Sequence, residues 1–239
     1  MQTNEIQSAA DRITRELEAY SDPEKKIQLP RFFKTGQGQY GEGDRFIGVS
    51  VPNTRIVAKQ HKNESLETTA NLLNSPWHEC RLCALLILVE RFKKGDATER
   101  ETLYRFYLDH TQHINNWDLV DLSAPYIVGE FLYDTSREEL FRLAESTWLW
   151  NQRIAVVATL TFIRKGDLTT SLALAEQLLS HRHDLMHKAV GWVLREVGKR
   201  NKEALVQFLE KYSRSMPRTM LRYAIEKFPE EERRYFMKR

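Results

Sequence analysis

Apolar residues recur three and four positions apart along nearly the whole chain, the spacing of amphipathic α-helices. The pattern predicts helices over residues 5–20, 53–62, 65–74, 77–94, 97–110, 116–133, 136–147, 150–165, 168–181, 184–200, 202–213, 217–228 and 229–237. Strand-type alternation is nearly absent. The segment Phe46-Ile47-Gly48-Val49-Ser50-Val51 is the only candidate, and it is short. The expected fold class is therefore all-α.

The helices come in pairs joined by short turns, which raises the question of a repeat. Arg81 in ECRLCALLILVERFKKGD aligns with Arg153 in NQRIAVVATLTFIRKGD: both run into an apolar helix, and both segments end in a Lys-Gly-Asp turn. Trp117 falls midway between them, and Lys188 and Arg222 continue the series at intervals of 34 to 36 residues. This period fits a HEAT-like helical-repeat solenoid, a single domain over residues 1–239, against the alternative of chance similarity within a helical bundle. In a curved solenoid, equivalent residues line one surface. Arg81, Trp117, Arg153, Lys188 and Arg222 would then form a concave basic face, four cations and a tryptophan, suited to a phosphate backbone.

Composition changes this picture little. Of 239 residues, 41% are hydrophobic and 29% charged, an ordinary balance for a globular protein with a sizeable core. Ten glycines and 7 prolines leave no room for long flexible linkers. The net charge of +3 and the pI of about 8.8 make the chain mildly basic, which allows a polyanionic partner without requiring one. The two cysteines, Cys80 and Cys83, cannot form a disulfide framework and point to a reducing compartment, so the expected location is cytoplasmic, nucleoid-associated if bacterial. The N-terminal segment lacks the apolar run of a signal peptide, and no stretch approaches the ~18 apolar residues of a membrane span.

Several motifs invite chemistry and do not sustain it. Gly36-Gly38-Gly41 formally matches GxGxxG, but a nucleotide fingerprint needs a strand before it and a helix opening on its last glycine. Here the next helix begins near Pro52, so an ordered loop is the better reading and no nucleotide cofactor is expected. His78, Cys80 and Cys83 resemble half a zinc site, yet they sit in a helical apolar pattern with no second half, which favours core packing. The cluster His181, His183 and His187 stands at a turn and helix start and is read as solvated. No metal is expected.

Two segments are more informative. In HINNWDLVDLSAP, Trp117 and Asp121 are spaced i, i+4 and share a helical face, with Asp118 round the side. On that segment alone a core tryptophan, with Asp121 capping a neighbouring helix, is the plainer reading. In HKAVGWVLREVGKR, Lys188 and Trp192 repeat the i, i+4 spacing, and Gly191 leaves room for another backbone to approach. Two tryptophans flanking Arg153, with one carboxylate, make a constellation suited to a deoxyribose-phosphate that carries a cationic centre.

These segments, NWDLVDLSAPYIVGEFL, WNQRIAVVATLTFIRKGD and HKAVGWVLREVGK, together with FFKTGQGQYGEGDRFIGVSVPNTR, resemble the signature segments of the AlkD-like DNA alkylation repair family, over about residues 20 to 228. The resemblance implies a HEAT-like fold and hydrolysis of the N-glycosidic bond of cationic N3- and N7-alkylpurines in double-stranded DNA. It places the catalytic carboxylate on Asp121, the lining tryptophans on Trp117 and Trp192, and the cleft arginine on Arg153, with Lys188, Arg81 and Arg222 as further DNA contacts. Phe32 stands where a tyrosine can occur in relatives, and Ser50 where a glutamine can. No lysine is placed as a Schiff-base nucleophile, so a monofunctional glycosylase without lyase activity is expected, acting as a monomer without cofactor. The alternatives are a non-catalytic DNA-structure-binding protein on the same scaffold and a HEAT-type protein-interaction scaffold.

Overall fold

Helix follows helix throughout the computed structural model, which describes residues 2–238, with side chains from residue 9 onward. Among these residues no strand forms. The candidate strand after Phe46 is extended backbone, and only an isolated parallel bridge joins Arg45 to Trp77. The chain divides into two compact units, Met1–Ser123 and Ala124–Arg239.

The first unit contains α1 (Gln2–Glu18), α2 (Pro23–Phe32), α3 (Val51–Gln60), α4 (Leu66–Leu73), α5 (His78–Lys94), α6 (Ala97–Asp109) and the short α7 (Trp117–Asp121). Helix α5 is the centre of this unit. Every residue from His78 to Val89 is buried, so it has no polar face, as expected of a helix packed on several sides. Helices α1, α3, α4, α6 and α7 pack against it. Cys80 and Cys83 lie in this core as free thiols, where the apolar pattern puts them.

Helix α2 was not predicted from the apolar spacing, because it buries none of its own residues. Local chemistry starts it instead. Asp22 accepts from the backbone N–H groups of Glu24 and Lys25, and Pro23 occupies the first helical position, where its missing N–H costs nothing.

The second unit contains α8 (Glu130–Tyr133), α9 (Glu138–Glu145), α10 (Leu149–Ala158), α11 (Leu160–Arg164), α12 (Thr169–Gln177), α13 (Asp184–Arg200), α14 (Lys202–Tyr212), α15 (Arg218–Ala224) and α16 (Glu230–Lys238). The single helix predicted over 116–133 is interrupted. Pro125 has no N–H to donate, and residues Pro125–Gly129 relax into a π-helical turn before α8. The carbonyl of Pro125 accepts from Thr161 Oγ1 at 2.6 Å.

Arg153, Lys188 and Arg222 each stand fifth in their helices, α10, α13 and α15, as the repeat required. In α7 the fifth place belongs to Asp121, while Trp117 is the first residue. Gly191 meets its expectation of a close approach. A Cβ there would lie 2.5 Å from Tyr223 Cβ and 2.6 Å from the Met220 carbonyl oxygen, so the absent side chain lets α13 and α15 touch. Gly191→Ala must push the two helices apart, at a cost of roughly 1–3 kcal/mol. A fall in the urea midpoint is the expected result, and an unchanged midpoint would contradict this packing.

Candidate functional site

The loop between α2 and α3 is held by one carboxylate. Glu79, second in α5 and buried, accepts from three consecutive backbone N–H groups: Ile47 at 2.9 Å, Gly48 at 2.8 Å and Val49 at 3.1 Å. The middle donor must be glycine. Gly48 has φ +97, and a Cβ would come 2.6 Å from the Asp22 carbonyl oxygen. Asp22 N–H returns a bond to the Gly48 carbonyl at 3.0 Å. The loop is thereby fixed between the start of α2 and the start of α5, with Phe46, Ile47 and Val49 turned into the core.

Beside this clamp lies a buried charged network. The imidazole of His78 meets Asp44 through Nδ1 at 3.0 Å and Asp118 through Nε2 at 2.8 Å. Asp44 is also ion-paired to Arg81 and accepts from Asn116 Nδ2 at 3.1 Å. Arg81 gives Nη1 to the Ser75 carbonyl at 2.9 Å. Burial pushes the imidazole toward neutrality, but the charge and hydrogen bond of Asp118, followed by those of Asp44, raise its pKa to about 9. Burial likewise opposes ionisation of Asp44, and the His78 hydrogen bond and the Arg81 charge outweigh it, holding that carboxyl below its ordinary value. Two carboxylates are thus balanced by an imidazolium and a guanidinium. Since the His78 pKa is raised on folding, its stabilisation is complete below about pH 6.5 and is lost as pH climbs through about 9.

Aromatic rings cover the network. Phe46 stacks on His78 with centroids 4.7 Å apart, and Phe33 lies 4.8 Å from the same imidazole. Phe33 in turn stacks on Trp117 at 5.3 Å and 18°, and Phe32 meets Trp117 edge-on at 5.8 Å. These rings, with Leu29, Val49, Leu82 and Leu122, line a pocket of about 400 Å³ in the first unit. Trp117 and Asp121 both line it, as do Phe32, Ser50, His78 and Asp118. The i, i+4 face expected of α7 therefore opens on a real concavity.

In the second unit Trp192 lines a pocket of about 470 Å³ with Leu160, Ile163, Arg164, Glu196, Lys199 and Arg200. Arg153 is buried and donates Nη1 to the Leu185 carbonyl at 2.7 Å. Lys188 is half-buried and pairs with Asp184 one turn earlier at 2.7 Å, and Arg222 is exposed.

With this geometry in place, comparison with known proteins is direct. The family model for DNA alkylation repair enzymes matches residues 13–228. The chain belongs to the DNA alkylation repair enzyme family. A solved structure, described as a predicted DNA alkylation repair enzyme from Enterococcus faecalis, shares the fold with a TM-score of 0.67. That match covers 88% of this chain and 97% of the other at 15% identity. No curated protein matches the chain at a significant level.

Within this DNA alkylation repair chain, the placement of the sequence-derived residues is uneven. Trp117 and Asp121 share a pocket. Arg81, expected as an open cation in a ladder, is instead buried and ion-paired to Asp44, because the glycine-rich loop brings a carboxylate to it across 37 positions of sequence. The histidines near α13 serve its start: His183 accepts from Leu185 N–H at 3.1 Å and its own N–H donates to His181 Nδ1 at 3.0 Å. Nothing in the sequence marks Asp44, Glu79, Asn116, Phe33 and Phe46 as site residues, and His78 stands out there only beside the cysteines. The usable hint is the glycine-rich loop itself, four glycines from Gly36 to Gly43 running into Phe46-Ile47-Gly48-Val49. Among the described residues no helix is long and apolar enough to cross a membrane.

Proposed function

We propose that this family member is a DNA glycosylase. It hydrolyses the N-glycosidic bond of cationic N3- and N7-alkylpurines in duplex DNA and has no lyase activity. The observation that carries the reading is the pairing of Trp117 and Asp121 on one pocket in a chain of the DNA alkylation repair family.

An alkylated purine already bears positive charge and leaves readily, so the protein need not protonate it. The demand lies on the sugar, where positive charge develops as the bond breaks. A fixed carboxylate stabilises that charge. Asp121 takes this role and orients the attacking water. A contribution of roughly 3 kcal/mol from one such group corresponds to about a hundredfold in rate. Trp117 and Trp192 pack on the sugar-phosphate backbone. Arg153 is buried with Nη1 on the Leu185 carbonyl, so the direct phosphate contacts fall to Lys188 and Arg222.

The deciding assay is release of free base from duplex carrying N7-methylguanine, with the abasic strand staying intact until alkali is added. A protein that binds duplex but releases no base would be a DNA-structure binder, and one that does not bind duplex would be neither. Lys188→Ala and Arg222→Ala should each weaken binding to damaged and undamaged duplex alike. Each should lower the slope of log affinity against log salt by about one. Titrations over a range of salt concentrations measure this directly, and unchanged slopes in both variants would remove these cations from the interface.

A further inference from the structure

We propose that His78 is a positioning residue: held between Asp44 and Asp118, it fixes the short helix that carries Trp117 and Asp121.

Helix α7 has only five residues, too few to be stable through its own hydrogen bonds. Its place must come from outside. At its far end Ser123 Oγ donates to the Leu119 carbonyl and is met by the buried Tyr107 hydroxyl at 2.9 Å. At its start Asn116 accepts from Trp117 N–H at 2.8 Å and hands its own amide to Asp44. Asp118, in the first turn, reaches His78 through Oδ2, while its Oδ1 is buried without a hydrogen-bond partner. The side chain of Asp118 thus depends on His78 alone for its hydrogen bonding.

A second route runs through the rings. His78 stacks on Phe46 and lies against Phe33, which stacks on Trp117. One imidazole therefore governs both the backbone of α7 and the plane of its tryptophan. The charged groups that meet it are Asp44 from the loop and Asp118 from α7; of its α5 neighbours, Arg81 pairs with Asp44 and Glu79 is bonded to the loop backbone. Asp44 keeps Arg81 and Asn116 if His78 is lost, but Asp118 keeps no partner, so the disturbance falls on α7.

The consequence for catalysis rests on the glycosylase reading, whereas the geometric part does not. The test accordingly has two readouts. His78→Leu removes the cation and both ring N–H donors at similar bulk. Amide hydrogen exchange over residues 118–122 should quicken by roughly tenfold, with the amides of α13 unchanged, since local opening is controlled by local contacts. Single-turnover release of N7-methylguanine at saturating protein should fall by roughly ten- to a hundredfold at near-constant duplex affinity, the pattern of a displaced catalytic group. Adding Asp118→Asn to His78→Leu replaces a stranded carboxylate by a neutral amide and should recover part of both losses.

The double variant also keeps the test open if the single one folds poorly. Imidazole nitrogen NMR of the native protein should show both ring nitrogens protonated at pH 7, with loss of a proton only as pH passes about 9. Unchanged exchange over 118–122 in folded His78→Leu would overturn the proposal, as would a neutral imidazole at pH 7 or a double variant with no recovery. If the native protein releases no base while α7 still loosens in His78→Leu, the glycosylase reading fails and the positioning role stands.

Discussion

Asp121→Asn should release N7-methylguanine from duplex DNA more slowly than the native protein by roughly one to three powers of ten, the range for removing one group that stabilises transition-state charge. The substitution keeps the volume of the side chain and deletes its anion, so it isolates electrostatics from shape. Binding to lesion-free duplex should stay level or tighten, because a negative group is lost from a surface that meets phosphates. Asp118→Asn is the informative companion. Its side chain lies on the same pocket but is committed to His78, and an asparagine oxygen there can still accept from His78 Nε2. Its effect on excision should be much the smaller of the two. Trp117→Ala should also slow release, through loss of packing against the sugar-phosphate. Single-turnover assays on variants checked by circular dichroism decide the matter. A folded Asp121→Asn that excises at the native rate would remove Asp121 from the mechanism, and a larger loss from Asp118→Asn would transfer the role.

Glu79→Ala should be among the most destabilising single changes in the first unit. It strands three buried N–H groups, those of Ile47, Gly48 and Val49. An unpaired buried donor costs about 1–3 kcal/mol, so a total of about 3–6 kcal/mol is expected once some donors relax toward water. Against the 5–15 kcal/mol stability typical of a domain, this brings the unit near its limit. Glu79→Gln should cost less, because its oxygen can keep the Gly48 and Val49 bonds while its amide opposes only Ile47. Urea denaturation should rank the three proteins native, Glu79→Gln, Glu79→Ala. Near-identical midpoints would mean that the loop does not depend on this carboxylate. The functional cost should follow the structural one, since Phe46 and Val49 wall the pocket beside Trp117.

What the chain alone makes legible is whatever repeats locally. The spacing of apolar residues placed most helices, because each helix must show one face to a core and the period is 3.6 residues. Gly191 was legible as a close approach, and Trp117 with Asp121 as a shared face, because i, i+4 geometry needs no knowledge of the rest of the molecule. Helix α2 was not legible, since it buries nothing and its apolar pattern is weak. The break near Pro125 had its signal in plain view, a proline inside a long helical run.

The tertiary structure alone decided the fate of the charges. Arg81 and Arg153 look in sequence like surface cations, yet both are buried. The Asp44 that occupies Arg81 comes from 37 residues away, and the Asp118 that completes His78 from 40. Glu79 finds its three donors 30 to 32 residues back. No local period connects such residues. Whether a charge faces solvent or a buried counter-charge depends on which distant loop folds over it, and only the packed chain brings that loop into place.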